Sequence, residues 1–544
     1  MSAKVISANL LAKMFLAGAK YLENNKEYIN ELNVFPVPDG DTGTNMTLTI
    51  LSAAKELNAV TEINMQTVCK AVSSGSLRGA RGNSGVILSQ LIRGFTKVAS
   101  NYNELDVAVL DEACQKAVKT AYKAVMVPKE GTILTVAAGV AKKAEELHTS
   151  GVEDMEQYLK EIVDEAQRVL LTTPDLLPVL KEAGVVDSGG QGLLETLKGA
   201  YDAFCGKEID LTFNASKKKE KEKEPVKEEL KFIYSAEFEV LLSRNFNVKN
   251  EMDLKDYLET IGDSITLSVE SDTVKISLNT NDPGLPLQKG LKYGDLNGIQ
   301  IHNLKLKSSG GNAASAPAPK NTVPKKKYGF IAVSVGEGIN EIFTSLGVDY
   351  IISGGQTMNP STEDMLNAID NVNADIIFIL PNNKNIIMAA NQARDLTTDK
   401  QIIVIPTKTV PQGITAVINF MAEMEVEDNE SQMNDGISNV KTGQVTYAVR
   451  DTVIDNYEIH QDDFMGIGDH GILSVGKSRD DVTLEMIQNL ADDETELISV
   501  YYGSDVSEKD AKMLQARIED AFPSVDIEMQ YGGQPIYYYI VSVE

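Results

Sequence analysis

The sequence predicts a multidomain α and α/β protein: an all-α block, a small ferredoxin-like α+β block, and a C-terminal α/β block of two lobes. Three observations carry this. Stretches of the first 212 residues repeat apolar side chains about every 3.6 residues, with little β-branched alternation, which gives about eight helices and no sheet of note. Two polar stretches, 213–229 and 308–327, cannot join a core and divide the 544-residue chain into 1–212, 230–307 and 328–544. The last block alternates short β-branched runs with helical ones, the pattern of a parallel sheet with crossover helices.

In the first block the helical stretches are 5–24, 44–58, 66–75, 84–99, 106–124, 132–148, 153–171 and 190–204, separated by Gly- or Pro-bearing turns. The first places Leu11, Phe15, Gly18 and Leu22 on one face, as a packed amphipathic helix does. Lys4, Lys13 and Lys20 interrupt it, so it lacks the unbroken apolar region of a signal peptide. The run KKKEKEKEPVKEE, Lys217 to Glu229, reads as a solvated tether. The middle block orders strand-like 232–242, helical 254–261, strands 265–270 and 274–278, helical 287–293 and strand 299–306, which is the split β-α-β unit of ferredoxin-like folds. A Gly-, Ala-, Ser- and Pro-rich linker follows, from Ser308 to Lys327. Beyond it, strands at 330–335, 349–352, 376–380 and 402–405 alternate with helices at 338–346, 361–372 and 385–395. From Thr446 hairpin-like strands, a helix at 508–521 and strands at 525–530 and 536–543 make a second lobe. The acidic segment Glu425–Asn439 between the lobes reads as a mobile loop.

Composition removes several function classes. With 51 Lys plus Arg against 79 Asp plus Glu, the formal charge is −28, and the one basic run lies in a linker, so a phosphate-neutralising nucleic-acid surface is not expected. Three cysteines, Cys69, Cys114 and Cys205, are too few and too scattered for a disulfide framework or a zinc site, which points to a reducing cytoplasm. No run approaches the ~20 apolar residues of a membrane span.

Chemistry concentrates in Asn33-Val-Phe-Pro-Val-Pro-Asp39-Gly40-Asp41-Thr42-Gly43-Thr44-Asn45-Met46. Asp39 and Asp41 flank a glycine and can turn toward one point, and Mg²⁺ is commonly held by one or two carboxylates plus substrate phosphates. The helix that opens next offers free backbone N–H groups to an anion, with Gly43 allowing close approach. The same residues also read as a Pro-Asp-Gly turn that caps a helix. Three further small-residue loops open helices: Arg78 to Gly85, Lys129 to Thr132, and Asp187 to Gly192. Each alone is explained as a cap; together they can form a rim of helix N-termini around a polyphosphate. The sequence Val335-Gly336-Glu337-Gly338-Ile339-Asn340-Glu341 imitates a dinucleotide fingerprint, but Glu341 stands where the third glycine belongs. Of the four histidines only His470, in Asp469-His470-Gly471, has a loop setting suited to function, and a surface histidine is the competing reading.

On these residues the first block resembles the DhaL family, the nucleotide-binding domain of dihydroxyacetone kinases, and Pro36 to Met46 resembles its fatty-acid-kinase-like branch. The resemblance implies an eight-helix barrel that binds ATP with Mg²⁺. By position it implies Asp39 and Asp41 as catalytic Mg²⁺ ligands, with Asn33 standing near the family's third aspartate. It further implies Thr42, Gly43, Thr44 and Asn45 at the phosphates, Asn83 and Ser84 at phosphate or ribose, Gly131 and Thr132 near the adenosine, and Asp187, Ser188 and Gly189 closing the pocket. It extends through Gly354 to Thr362, Leu380 to Asn385 and Ile405 to Gly413, which resemble the C-terminal domain of the A subunit of fatty acid kinases. These loops follow strands, where α/β sheets place binding residues; as ordinary turns they need no partner. In the middle block Ser235, Ser277 and Asn279 stand where family members often carry Cys, His and His, and they are poor zinc ligands.

The expected activity is therefore that of the ATP-binding subunit of a two-component fatty acid kinase. Its fatty acid would arrive on a DegV-like binding protein docked by residues 328–544, with homodimerisation implied by the family alone. A glycerone (dihydroxyacetone) kinase and a nucleotide-sensing regulatory scaffold are the alternatives. The sequence names no lipid cavity of its own.

Overall fold

The computed structural model describes residues 5–34, 40–125, 127–213, 234–242, 250, 254–255, 257–258, 261–269, 273–303, 325–355, 359–448, 451–454, 457–469 and 471–544. Two compact units result, one from the first and last blocks and one from the middle block.

The first block is all-helical apart from a short antiparallel pair, β1 (Ile6–Ser7) with β2 (Glu104–Leu105). Its helices are α1 (Ala8–Asn24), α2 (Lys26–Glu31), α3 (Thr42–Asn58), α4 (Met65–Gly79), α5 (Gly82–Ala99), α6 (Val107–Ala124), α7 (Ile133–Thr149), α8 (Met155–Leu170), α9 (Thr173–Leu176), α10 (Pro178–Ala183) and α11 (Ser188–Phe204). The eight long ones close a ring in which neighbours pack in the order α1, α3, α4, α5, α6, α7, α8, α11 and back to α1. One continuous core lines it, from Ile6 and Leu22 through Met46, Ile50, Leu88 and Leu134 to Leu194. α3, α5 and α11 each begin two residues earlier than their apolar periodicity indicates. Small residues there, such as Thr42-Gly43 and Ser188-Gly189, show no periodicity, yet they form first turns. Phe213 still packs against this core, with Lys20 Nζ 5.8 Å from its ring and hydrogen-bonded to Thr212 O at 2.5 Å. The charged tether Lys217–Glu229 lies outside the described residues, as does the linker Ser308–Lys327 up to residue 324.

In the middle unit β3 (Tyr234–Leu242), β4 (Gly262–Val269), β5 (Thr273–Thr280) and β6 (Gly294–Asn303) form an antiparallel sheet in the order β4-β5-β3-β6. α12 (Gly284–Gly290) lies between β5 and β6, and residues 254–255 and 257–258 are helical, so the ferredoxin-like order is the observed one. The register sets Ser235 opposite Asn279 and Ser277 opposite Glu237.

The last block begins with a four-stranded parallel sheet, β10-β9-β7-β8, built from β7 (Lys326–Ser334), β8 (Tyr350–Ser353), β9 (Ala374–Leu380) and β10 (Gln401–Val404). Around it lie α13 (Glu337–Ser345), α14 (Thr362–Asn371), α15 (Ile387–Leu396), α16 (Val410–Ile418) and α17 (Val426–Ser438). The second lobe holds β11 (Lys441–Tyr447), a small β12–β13 hairpin (Thr452–Ile454, Tyr457–Ile459), β14 (Phe464–Gly468), β15 (Gly471–Gly476), α18 (Arg479–Leu490), β16 (Leu497–Tyr502), α19 (Glu508–Ala521), β17 (Asp526–Tyr531) and β18 (Tyr539–Val543). Its main sheet runs β15-β14-β11-β18-β16-β17.

One expectation changes here. The acidic segment 425–439 is a helix, α17, because Val426, Met433 and Ile437 recur on one face and are buried beside Asn429. Its charges hold the opposite face in solvent. The glycines of the dinucleotide-like motif pack the two lobes together: Ile339 N–H donates to Gly532 O at 3.0 Å, and a Cβ at Gly338 would run into the Tyr531 carbonyl. His470 lies outside the described residues.

Candidate active site

Chain direction assembles the site. Close approaches at their first turns, Gly82 against Asn45, Gly189 against Ile133 and Gly192 against Met46, show that α3, α5, α7 and α11 open at one rim. The small-residue loops singled out in the sequence open those four rim helices. Each helix N-terminus carries roughly half a positive charge and unpaired N–H groups, so the rim is suited to a polyphosphate.

Asp41 occupies the N-cap of α3, yet its carboxylate makes no cap hydrogen bond. α2 does that work instead: Asn30 Oδ1 accepts from Thr44 N at 3.0 Å, and Asn30 Nδ2 donates to Thr44 Oγ1 at 3.1 Å. Asp41 is thereby released from its ordinary helix-capping role. Thr42 Oγ1 donates to Asn33 Oδ1 at 2.8 Å, which holds Asn33, itself buried, beside the start of α3. Gly40 turns the chain at φ +64°. The room beside Gly43 belongs to α2, since an added Cβ would meet Lys26 O there. Asp39 lies outside the described residues. Among the described residues no group of three or more His, Cys, Asp or Glu side chains forms a metal cage. The residues present still fit Mg²⁺, which is usually bound through one or two carboxylates and phosphates rather than by an all-protein cage.

The second loop is shorter than the sequence indicates. Arg78 and Gly79 end α4, and only Ala80 and Arg81 separate it from α5. Gly79 and Gly85 let α4 and α5 approach α3 at Ser52 and Thr49, whereas Gly82 needs its freedom, at φ +56°. A Cβ on Gly82 would lie 2.5 Å from Asn45 Nδ2 and 3.5 Å from Asn359 Nδ2. Asn45, Gly82 and Asp41 thus converge, and Asn83 and Ser84 are half-buried beside them.

The other two loops meet at Asp187. Its Oδ2 accepts from Gly190 N at 2.7 Å, and Ile133 N–H also bonds the carboxylate, so one acid caps both α11 and α7. Burial pushes its carboxyl up to about 6, against those two N–H groups. Gly131 adopts φ +83° and donates to Thr135 Oγ1, while Thr132 Oγ1 donates to Lys129 O. Gly189 packs on Ile133, and Ser188 is buried at the start of α11. The link to the first pair of loops runs through α11, where Gly192 faces Met46.

Sequence reasoning missed one wall. The C-terminal block seats on this rim through residues whose sequence reads as open strand-end loops. Asn359 Nδ2 donates to Asp41 Oδ2 at 2.5 Å, and Arg81 Nη1 donates to Asn359 O at 2.8 Å. Arg81 also pairs with Asp364 at 3.5 Å, and Thr362 N donates to Ala80 O at 3.1 Å. Asn83 Nδ2 reaches Asn385 Oδ1 at 3.1 Å. Deeper in the seam, Gln392 accepts from Gln90 at 2.8 Å and donates to Leu77 O at 2.6 Å, while Ala80 and Val86 pack on Ala389. Other polar residues of these loops bond within the sheet: Asn382, at φ +53°, binds Thr407 and Val333 O. No local signal in the sequence says which surface an Asn or Gln at a strand end will meet.

Inside the ring lies an apolar cavity of about 250 Å³, lined among others by Leu11, Phe15, Leu91, Phe95, Tyr158 and Leu197. The sequence names no such cavity. The same side chains read there as core, and ring closure leaves space along the axis. Among the described residues no helix is long and apolar enough to cross a membrane.

Comparison with known proteins covers most of the chain. The C-terminal domain of the fatty acid kinase A-like family matches residues 329–544, that family's middle domain matches 231–310, and the DAK2 domain matches 36–202. Protein YloV of Bacillus subtilis (strain 168) is 41% identical over 555 residues, covering 100% of both chains. An uncharacterized protein of Staphylococcus aureus (strain MRSA252) is 40% identical over 546 residues, covering 99% of each. Among solved structures, a DegV family protein from Corynebacterium glutamicum aligns at TM-score 0.31 and 14% identity, covering 40% of this chain and 96% of its own.

Proposed function

This chain belongs to the fatty acid kinase A-like family, and from that premise we propose that it is the ATP-binding subunit of a two-component fatty acid kinase. It would transfer the γ-phosphate of ATP to the carboxylate of a fatty acid presented by a separate DegV-like binding protein. The observation that carries this reading is the rim: four helix N-termini aimed one way, with the Asp41 carboxylate uncapped among them.

Asp41, Asn33 and, from the sequence motif, Asp39 are the residues that would hold Mg²⁺. Bound there, Mg²⁺ would supply charge neutralisation at the phosphates. Thr42 to Asn45 and Asn83 to Ser84 would orient the phosphate chain, and Gly131, Thr132 and Asp187 to Gly189 would border the nucleoside. A fatty acid is a carboxylate at neutral pH and brings its own nucleophile, so the acceptor needs no general base. That suits a block in which the one histidine, His148, ends α7 away from the rim and bonds Asp111 at 2.9 Å. Residues 328–544 would dock the carrier, and the family's description as one component of a kinase supports a second.

The test is acyl-phosphate formation, trapped as hydroxamate, from the purified chain, Mg-ATP and oleate, with and without a DegV-like protein of the same organism. Product that requires the carrier is expected. No product in either mixture, with dihydroxyacetone consumed instead, would move the assignment to glycerone kinase.

A further inference from the structure

We propose that Asn359 is a positioning residue for Asp41, and that the C-terminal block is thereby a built-in wall of the nucleotide site rather than only a docking module. The proposal rests on the reading of Asp41 as a Mg²⁺ ligand.

Asn359 is 318 residues from Asp41 in sequence, yet its buried side chain donates to Asp41 Oδ2 at 2.5 Å. A carboxylate presents two oxygens and about four lone-pair directions. The amide takes one and fixes the rotation of the group, leaving Oδ1 and the remaining lone pairs for a cation. Because α3 is capped by Asn30, no backbone N–H among the described residues holds the Asp41 side chain, and Asn359 provides a restraint that the helix itself does not.

Asn359 is in turn held. Its carbonyl accepts from Arg81 Nη1, and Arg81 is anchored by Asp364 and by the bridge to Ser361. Ser361 and Asp364 form the capping box of α14, so the strut ends on a regular helix of the α/β sheet. A rigid path therefore joins Asp41 to the lobe that the proposed carrier would engage. An outer partner of a metal ligand that orients it is typically worth 10–100-fold in metal affinity or activity.

The experiment is a titration of MgCl₂ into the full chain with ADP, read by calorimetry, on wild type, Asn359→Ala and Gln392→Ala. Asn359→Ala is expected to weaken Mg²⁺ binding by roughly 10–100-fold. Gln392→Ala breaks the seam at Gln90 and the Leu77 carbonyl, away from Asp41 and the phosphate loops, and is expected to stay within about twofold of wild type, below the range for an orienting partner. Equal affinity in Asn359→Ala and wild type overturns the inference, and so does an equal loss in both variants. Wild type that binds no Mg-ADP overturns the nucleotide-site reading itself, which keeps the two failures apart. Should Asn359→Ala fail to fold, Asn359→Asp supplies a second measurement. Facing carboxylates repel until a divalent cation bridges them, so its melting temperature is expected to rise with Mg²⁺ more than that of wild type. An identical Mg²⁺-dependent shift in both proteins overturns the inference.

Discussion

Replacing Asp187 by Asn should stabilise the protein at neutral pH, although it removes a charged helix cap. Asp187 is 5% exposed, and burial raises its carboxyl from the ordinary 3.8 to about 6 even with Gly190 and Ile133 N–H groups bonded to it. A folded-state pKa above the unfolded one means that the native state holds the proton more tightly. The native state therefore loses stability as pH rises from about 4 to about 6, and the loss is complete above that. A separation of about two pH units corresponds to about 3 kcal/mol at neutral pH, and about half of it develops between pH 5 and pH 8. Asn keeps an oxygen acceptor for the two N–H groups and carries no charge. Scanning calorimetry of the full chain and of Asp187→Asn at pH 5, 6.5 and 8 reads the difference. The variant's advantage should grow with pH and level off above about pH 6.5. A difference that is flat with pH, or one that turns toward wild type as pH rises, would refute the claim that burial dominates at this cap.

Two further substitutions test the rim and the seam. Gly82→Ala places a side chain at φ +56° and pushes it against the Asn45 amide, so a destabilisation of about 1–3 kcal/mol is expected, with a smaller Mg-ADP-induced rise in melting temperature than wild type shows. Gln392→Leu leaves Gln90 and the Leu77 carbonyl unpaired in a buried seam, each costing about 1–3 kcal/mol; faster amide exchange in α5 and α15 is the expected sign, and unchanged exchange there would count against the seam as drawn.

Much of this architecture is legible because its signals are local. The eight ring helices announce themselves by spacing, and the small-residue openings of α3, α5, α7 and α11 stand out against it. Helix starts are less legible, since Gly and Thr carry no periodicity, and a charge-rich segment such as 425–439 hides a helix whose few apolar residues suffice for one face. The glycines mislead in a consistent way. Gly43, Gly79 and Gly85 look like phosphate glycines, but their missing side chains admit α2 and α3, and among these loops it is Gly40, Gly82 and Gly131 that adopt left-handed backbone. What no local pattern contains is the pairing of Asp41 with Asn359, or of Gln90 with Gln392, because the information lies in two surfaces that meet only after both blocks have folded.

The same geometry bears on how a chain of charge −28 could hold the polyanion proposed for it. Net charge acts at long range and is screened beyond about 8 Å at physiological salt, so it governs approach more than occupancy. Occupancy depends on the local field, and there the four rim helices open with no acidic residue in their first turns. First-turn acids would stabilise each helix by roughly 0.3–1 kcal/mol and would cancel its dipole toward the ligand. α13, α14, α17, α18 and α19 carry them. α1, α4 and α6 lack them too, so this absence alone does not select the rim. Selection comes from chain direction, which points four bare N-termini the same way, and from Asn30, which takes over the cap of α3. Among the described rim residues, that leaves Asp41 as a carboxylate with no helix to cap, held by an amide rather than a cation.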